Sequence, residues 1–251
     1  MHPKTEIIQV NNLSAAFGKT KVLKDISFTA YKNEVTVILG TSGCGKTTLM
    51  KHLIGLYPVQ KGDVFVLGQK VDMMDEKKFM ELQLSMGVLF QNGALLNSLS
   101  VSENIAIPLV QHTKLPDNMI RELVKVKLNL VGLIHAIDYF PEQLSGGMLK
   151  RAALARAIAM DPPILFCDEP SAGLDPVTLA ELDDLFLKLK RQIGITIILV
   201  THEVASIKRL ADRIIFLEKG RVLFQGSIKE AFDSNIQQVI QFFASPDLKV
   251  A

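Results

Sequence analysis

The chain has 251 residues, of which 48% are hydrophobic, and its formal net charge is +2. This length allows a substantial core in one or two domains, and so small a charge does not indicate a nucleic-acid-binding surface. The apolar stretches, such as 195–200, are too short for a transmembrane helix, and the first residues lack the pattern of a signal peptide. We therefore expect a cytosolic protein in which Cys44 and Cys167 are reduced.

The N-terminal part of the chain predicts strands, and a mostly helical region follows. Short β-type runs open the chain at 7–10, 22–28 and 35–39. A helical pattern follows the glycines at 43–45, and residues 64–90 combine short strands with one helix near 75–83. Residues 101–160 are mostly helical in pattern, which predicts an inserted subdomain. Helix-breaking residues interrupt this region at Pro108, Pro116, Pro141 and Gly146-Gly147.

From residue 163 onwards, strands and helices alternate regularly. The predicted elements are a strand at 163–167, a helix at 177–191, a strand at 195–200, a helix at 203–210 and a strand at 213–218. This alternation predicts an α/β fold with a parallel sheet. The continuous apolar runs 35–39 and 195–200 are typical of central strands that are buried on both faces.

A last helix is predicted at 234–243. It places Ile236, Val239, Ile240 and Phe243 on one stripe. This stripe would pack either on the chain's own sheet or against a partner subunit, and the pattern leaves both open.

The segment GTSGCGKT follows the apolar strand 35–39 and opens a helical run. It fits the P-loop pattern G-x-x-x-x-G-K-[ST] in the strand–loop–helix context that the pattern requires. The glycines let backbone N–H groups face a phosphate, and Lys46 would reach the β- and γ-phosphates. The predicted nucleotide-binding residues of this loop are Gly40, Thr41, Ser42, Gly43, Cys44, Gly45, Lys46, Thr47 and Thr48.

Polar side chains follow two further predicted strands. Asp168 and Glu169 end the run PILFCDEP, and burying adjacent carboxylates is costly unless they meet a cation. Mg²⁺ on a nucleotide would supply that cation, with Asp168 holding the metal and Glu169 polarising the attacking water. His202 follows the strand 195–200, and we expect it at the same sheet edge, where it would contact the γ-phosphate.

The segment LSGGMLKRAALARAIA at 144–159 predicts a second anion site. Ser145 is a good N-cap, Gly146 and Gly147 expose backbone N–H groups, and an alanine-rich helix follows. The N-terminus of such a helix attracts phosphate. One chain therefore carries two phosphate-binding devices.

With these motifs in order, the chain resembles the ATP-binding-cassette (ABC) ATPases. The motifs are GTSGCGKT, a glutamine after a strand, LSGGM, ILFCDE, SAGLD and TH. The resemblance implies a P-loop NTPase fold with a RecA-like parallel sheet, an N-terminal antiparallel β subdomain and an inserted α-helical subdomain. It divides the single domain 1–251 into a catalytic core with the β subdomain (7–90 and 161–232), a helical subdomain (91–160) and a C-terminal helix and tail (233–251).

The resemblance also implies a mechanism. Two such subunits sandwich two ATP molecules head to tail, so that Ser145, Gly146 and Gly147 contact the γ-phosphate held by the partner's P-loop. The catalytic residues would be Lys46, Glu169 and His202. The Mg²⁺ ligands would be Thr47, Gln91 and Asp168.

Two residues depart from the usual family pattern. Phe17 occupies the position of the aromatic that stacks on adenine, where the family usually has tyrosine. Met148 stands where the signature motif usually has glutamine, beyond the residues expected to contact phosphate.

The stretch LFQNGALLNS at 89–98 places a polar amide after a strand and follows it with an apolar loop. In the family, Gln91 contacts Mg²⁺ and the attacking water, and the loop after it receives a cytoplasmic helix of the membrane subunit. Ala94, Leu95 and Leu96 would seat that helix, or Leu95 and Leu96 would anchor the loop in the helical subdomain.

The sequence of residues 90–116, together with LSGGM, resembles that of MlaF-type ATPases of MCE-associated phospholipid transporters. Leu96 replaces the phenylalanine commoner in them. The resemblance implies ATP and Mg²⁺ as cofactors and a position at the cytoplasmic face of the bacterial inner membrane. The implied partners are a second copy, an MlaE-like permease, an MCE-domain protein and a small STAS-domain protein.

Three other functions are compatible with some or all of these motifs. A nutrient or amino-acid importer ATPase has every catalytic motif. A cassette ATPase acting on ribosomes or DNA typically has two cassettes or long coiled-coil insertions, and net charge +2 gives no nucleic-acid footprint. A regulatory nucleotide binder without turnover is disfavoured by Glu169 and His202.

Overall fold

The computed structural model describes residues 4–71 and 75–244 and divides into compact units. One unit comprises the chain up to Gln83 together with the chain from Thr196, and the other comprises Leu84–Ile195. The predicted subdomain boundaries at residues 91 and 161 do not coincide with the limits of these units, and they remain a prediction. The predicted tail beyond residue 244 lies outside the described residues.

The first unit contains an antiparallel sheet built from long N-terminal strands. Its strands are β1 (Glu6–Phe17), β2 (Thr20–Tyr31), β4 (Lys61–Val66) and β5 (Gln69–Lys70). They pair in the order β2-β1-β4-β5. The antiparallel β subdomain expected at the N-terminus is thereby confirmed, although β1 and β2 extend well beyond the predicted runs 7–10 and 22–28.

A second sheet in this unit is mainly parallel and contains the apolar strands. Its members are β3 (Val35–Gly40), β8 (Thr196–Val200), β9 (Arg213–Glu218) and β10 (Arg221–Gly226). β3 lies between β8 and β9 and runs parallel to both, whereas β10 pairs antiparallel with β9. Every residue of β3 and β8 is buried, as expected for central strands.

Helices complete the first unit. They are α1 (Lys46–Leu53), α2 (Glu76–Leu84, whose last residue belongs to the other unit), α7 (Val204–Leu210), α8 (Ile228–Asp233) and α9 (Gln237–Ala244). The predicted helix 234–243 is wrong at its start, because Asn235 has a left-handed φ of 54° and α9 begins two residues later. Phe242 packs edge-on against Phe216 of β9, with ring centroids 5.4 Å apart, so α9 docks on the chain's own sheet. Ile240 is exposed, contrary to the predicted stripe.

The second unit combines a short parallel strand pair with helices. β6 (Met86–Leu89) pairs with β7 (Ile164–Asp168). The helices are α3 (Val101–His112), α4 (Asp117–Leu130), α5 (Gly146–Ala157) and α6 (Pro176–Ile193), with 3₁₀ turns at Ile134–Ala136 and Pro141–Gln143. Pro108 lies inside α3 rather than ending it. In neither described range of the chain is any helix long and apolar enough to cross a bilayer.

Candidate functional site

The P-loop joins β3 to α1 within the first unit. Gly40, Gly43 and Gly45 have φ values of 145°, 73° and 106°, which only glycine adopts readily. A Cβ atom on Gly40 would lie 2.1 Å from the carbonyl oxygen of Leu217, so a side chain there would collide with backbone. The loop therefore has the tight curl that the P-loop pattern predicts.

Lys46 and Thr47 open the first turn of α1. The Lys46 Nζ donates to the carbonyl oxygens of Gly40 at 2.9 Å and Thr41 at 3.2 Å, so its ammonium lies over the loop. Thr41, Ser42 and Thr47 are exposed. A curled loop, a helix N-terminus, an ammonium and hydroxyl groups together form a set of donors suited to a polyphosphate.

Phe17 ends β1 with a ring that is 47% exposed. Its ring packs edge-on against Tyr57, with centroids 5.3 Å apart. The Lys51 Nζ in turn lies 5.2 Å from the Tyr57 ring centroid. The Phe17 ring thus has an aromatic neighbour and still remains about half exposed, which suits the predicted stacking on a base. No sequence pattern predicts a role for Tyr57.

His202 lies just beyond β8, at the sheet edge that carries the P-loop. Ile38 of β3 is opposite Val200 of β8, and Gly40 and His202 each lie two residues beyond that pair. The His202 side chain is 48% exposed, with Nε2 3.7 Å from the Glu203 carboxylate. The structure therefore brings the P-loop and His202 to one edge, as predicted.

Gln91, Asp168 and Glu169 come together in the second unit. Leu89 of β6 is opposite Cys167 of β7 in the parallel pair, so Asp168, the last residue of β7, and Gln91, two residues beyond β6, lie at the same edge of the pair. Asp168 is buried and Glu169 half-buried, and Glu169 has a left-handed φ of 45°. A non-glycine residue in this region stores strain of the kind found at functional sites. Amide and carboxylate oxygens at one edge fit a hard cation such as Mg²⁺, which usually takes few protein ligands.

The signature motif begins α5 in the same unit. The Ser145 hydroxyl accepts a hydrogen bond from the Met148 N–H at 3.3 Å, so Ser145 is the N-cap that the sequence predicts. Gly146 and Gly147 form the first turn. A Cβ atom on Gly147 would lie 2.4 Å from Cγ2 of Thr178. Gly147 therefore packs closely against α6.

The segment SAGLD leads into α6 and ends in a capping residue. The Asp175 carboxylate accepts hydrogen bonds from the N–H groups of Val177 at 3.0 Å and Thr178 at 3.1 Å. The Thr178 hydroxyl also donates to it, and these bonds hold the pKa of Asp175 below its ordinary value.

The loop after Gln91 is turned as Asn-Gly predicts, since the Gly93 N–H donates to the Phe90 carbonyl at 2.8 Å. Ala94 and Leu96 are exposed, Leu96 by 50%, whereas Leu95 is half-buried. Leu96 thus does not anchor the loop in the core.

Sequence reasoning missed Lys150 and Arg156 of α5. The Lys150 ammonium donates to the Gln91 carbonyl, and the Arg156 guanidinium donates to the carbonyls of Gly93 and Ala94. Burial lowers the pKa of both side chains. The sequence contains a clue to these two residues. Lysine and arginine are rarely buried without a partner, so cations within an alanine-rich helix indicate that a partner is present.

Cys44 and Cys167 carry free, buried thiols. Burial raises the pKa of both, and the Asp168 charge adds to the effect at Cys167.

Comparison with known sequences decides the family. The ABC transporter profile matches residues 23–172, more than half of the chain. The chain belongs to the ABC transporter family. This ABC ATPase is 36% identical to the "intermembrane phospholipid transport system ATP-binding protein MlaF" of Haemophilus influenzae, over 94% of the chain and 89% of that protein.

Other relatives of this ABC ATPase have different transport names. It is 40% identical to the "probable ribonucleotide transport ATP-binding protein mkl" of Mycobacterium tuberculosis, over 94% of the chain, and spans 66% of that protein's length. It is 37% identical to the "methionine import ATP-binding protein MetN 1" of Staphylococcus aureus, over 95% of the chain and 71% of that protein.

Solved structures agree on the fold. cbiO1 of Clostridium perfringens, described as part of the ABC transporter complex cbiONQ, superposes with a TM-score of 0.85 at 33% identity, covering 95% of this chain and 94% of that one. The dimeric ABC transporter cassette MJ0796 gives a TM-score of 0.80 at 28% identity, covering 88% of this chain and 99% of that one. The predicted ABC ATPase fold is confirmed.

Proposed function

We propose that this chain is the ATP-hydrolysing subunit of an ABC transporter that moves phospholipid, working as a head-to-tail dimer around two ATP molecules. The observation that carries the proposal is that two separate helix N-termini of the chain are suited to binding phosphate. The P-loop follows β3 in the first unit, and Ser145 caps α5 in the second. In a dimer, each device would serve a different ATP. The dimeric MJ0796 cassette supports this arrangement by its similarity.

Each site residue has a role in this proposal. The P-loop residues 40–48 bind the phosphates, and Lys46 neutralises charge on the β- and γ-phosphates. Glu169 polarises the attacking water, and His202 contacts the γ-phosphate. Phe17 stacks on adenine. Ser145, Gly146 and Gly147 contact the partner's γ-phosphate.

The Mg²⁺ ion would be held by Thr47, Gln91 and Asp168 together with the phosphates. When bound, it neutralises charge that develops on the γ-phosphate. Gln91 and Asp168 suit this role because they lie at the ends of neighbouring parallel strands. Thr47 suits the role of Mg²⁺ ligand because it lies in the first turn of α1, next to Lys46.

The phospholipid cargo rests on similarity and on one loop. MlaF of H. influenzae is similar over 89% of its length, and its name refers to phospholipid transport. The exposed Ala94 and Leu96 after Gln91 offer an apolar seat to a helix of an MlaE-like permease. The further partners in this proposal are an MCE-domain protein and a STAS-domain protein, with no nucleic acid. The subunit would work at the cytoplasmic face of the inner membrane.

A second candidate is the ATPase of a nutrient or amino-acid importer. MetN 1 of S. aureus, named for methionine import, is 37% identical, so sequence similarity alone does not separate the two cargoes.

Hydrolysis is tested with two variants. Lys46→Ala should remove ATPase activity, because it removes the ammonium that lies over the P-loop. Glu169→Gln should still bind ATP and trap a stable dimer in gel filtration. Glu122→Gln, an exposed carboxylate paired with Lys125, is the control and should behave like the wild type. Normal turnover by Lys46→Ala would contradict the P-loop role, and a monomeric, active Glu169→Gln would contradict the dimer.

The cargo is tested on the complex with its membrane partners. Phospholipid should co-purify with the complex and stimulate ATP hydrolysis in liposomes. If hydrolysis responds instead to a periplasmic binding protein loaded with an amino acid, the importer is the function. The genes beside this one provide an independent check, since an MCE-domain gene favours lipid.

A further inference from the structure

The loop after Gln91 is attached to the signature helix by two cations, of which Lys150 is buried and Arg156 is half-buried. Lys150 lies one turn into α5, and its ammonium donates to the carbonyl oxygen of Gln91 itself. Lys150 is 7% exposed, and this partner is a neutral carbonyl rather than a carboxylate. Burying an ammonium is costly. Because a neutral carbonyl offsets this cost less than a carboxylate would, the contact between Lys150 and Gln91 points to a role of its own.

Arg156 holds the same loop from a position six residues further along α5. Its guanidinium donates to the carbonyl oxygens of Gly93 at 2.9 Å and Ala94 at 2.8 Å. These carbonyls belong to consecutive left-handed residues, with φ of 70° and 52°. Two donors in a planar fork fix the orientation of both peptide groups.

Close packing reinforces these hydrogen bonds. A Cβ atom on Gly93 would lie 2.9 Å from Cδ2 of Leu149 and 3.2 Å from Cβ of Ala153. The positions 149, 153 and 156 share one face of a helix. The loop backbone therefore rests on the face of α5 that begins just after the signature glycines.

The far end of the loop is fixed as well. The Asn104 side chain of α3, fully buried, accepts from the Leu96 N–H at 2.8 Å and donates to the Leu96 carbonyl at 3.0 Å. Ala94 and Leu96 remain exposed on this fixed backbone. The stretch from Gln91 to Leu96 is thus built as part of the helical scaffold and not as a free hinge.

We infer that Lys150 and Arg156 are positioning residues that make Gln91 and the signature motif of one subunit move as one body. This inference rests on the proposed function, in which Gln91 serves the subunit's own ATP and Ser145-Gly146-Gly147 serve the partner's. ATP at one P-loop would then set the position of the signature motif that closes on the other ATP. Neither cation contacts nucleotide in this account.

The test separates ATP binding from dimer closure, in the full chain carrying Glu169→Gln. Adding Lys150→Met removes the donor while keeping an unbranched side chain. We expect the Kd for a fluorescent ATP analogue to stay unchanged, while ATP-induced dimerisation weakens about tenfold or more, since loss of a charge-assisted hydrogen bond changes an equilibrium by roughly that factor. Lys150→Arg should restore dimerisation.

The matched control is Lys188→Met. Lys188 of α6 also donates to a backbone carbonyl, that of Leu130 at 3.5 Å, but away from the loop. It should leave both constants unchanged. If Lys150→Met does not fold, Arg156→Lys provides the second variant, because it keeps the charge and loses the fork. It should accelerate hydrogen exchange at the amides of 91–96 and weaken dimerisation in the same direction.

The outcomes are decisive. If Glu169→Gln alone does not dimerise with ATP, the proposed function fails. If it dimerises and the Lys150→Met or Arg156→Lys variant dimerises equally well, the positioning role is overturned. If ATP binding itself weakens in step with dimerisation, the cations act only on general folding, and the inference is also overturned.

Discussion

Gly147 and Thr178 approach so closely that the signature helix has room for only one of two alanine substitutions. A Cβ atom on Gly147 would lie 2.4 Å from Cγ2 of Thr178, whereas one on Gly146 would first meet Cδ2 of Leu174 at 3.7 Å, an ordinary contact. Both glycines lie in the first turn of α5. Alanine should therefore destabilise the protein at position 147 but not at position 146.

Gly147→Ala should lower the free energy of unfolding by about 1–3 kcal/mol, the usual cost of overpacking. Gly146→Ala should be neutral or slightly stabilising, because alanine is favoured over glycine in a helix by about 1 kcal/mol. Thermal unfolding measures both effects, because a change of 1 kcal/mol shifts the melting temperature of a chain of this size by about 2–4 °C.

Thr178→Ser supplies the rescue for Gly147→Ala. It removes Cγ2 and keeps the hydroxyl that donates to Asp175. The double variant should recover most of the lost stability. Equal melting temperatures for the two alanine variants would show that the Gly147 contact is not limiting.

Gly40→Ala should be more damaging than any of these. The residue has a φ of 145°, and its Cβ would lie 2.1 Å from a backbone carbonyl that cannot rotate away. We expect a loss of about 2 kcal/mol or more in urea unfolding, from overpacking and strain together. Gly43→Ala is the control, since it has a φ of 73° and nothing within 4 Å of its Cβ. It should lower the free energy of unfolding only by the cost of placing a side chain on a left-handed backbone, about 1–2 kcal/mol. A larger loss at Gly43 than at Gly40 would contradict the role of the Leu217 carbonyl.

The sequence predicted elements well where periodicity was regular. The helix predicted at 177–191 is Pro176–Ile193, and the strand predicted at 213–218 is Arg213–Glu218. β1 and β2 were predicted too short, because register shifts after Val10 and around Ala15 interrupt the alternation of apolar residues. A pattern of period two is lost at each such bulge.

The site was predictable wherever a motif specifies its backbone. The P-loop, the strand-end acids and the Ser145 cap follow from short-range patterns, and the structure places them on the expected elements. The contacts of Lys150 and Arg156 with the loop after Gln91 join residues about 60 positions apart. Such contacts depend on tertiary packing, which one sequence does not reveal.

Asp175→Asn should change how stability depends on acid. The hydroxyl and N–H of Thr178 hold the pKa of Asp175 below its ordinary value. Its stabilising contribution is therefore fully present above the ordinary pKa of about 4 and is lost as the pH falls through the lower folded-state pKa. The difference in melting temperature between wild type and Asp175→Asn should shrink from about pH 6 to about pH 3. Thr178→Val removes the main cause of the shift and should weaken this pH dependence. A difference that grows on acidification would show the sign to be wrong.

Phe17→Ala should weaken ATP binding by about 5- to 150-fold, because stacking of one base on an aromatic side chain contributes roughly 1–3 kcal/mol. Phe17→Tyr should keep the affinity. Tyr57→Phe is the matched control, since it keeps the ring beside Phe17 and removes only the hydroxyl that lies 3.4 Å from the Lys51 Nζ. Inorganic triphosphate separates stacking from damage to the P-loop, because it has phosphates and no base. Its affinity should be the same for Phe17→Ala and wild type in calorimetry. If triphosphate binding falls as much as ATP binding, Phe17 supports the loop and does not stack on adenine.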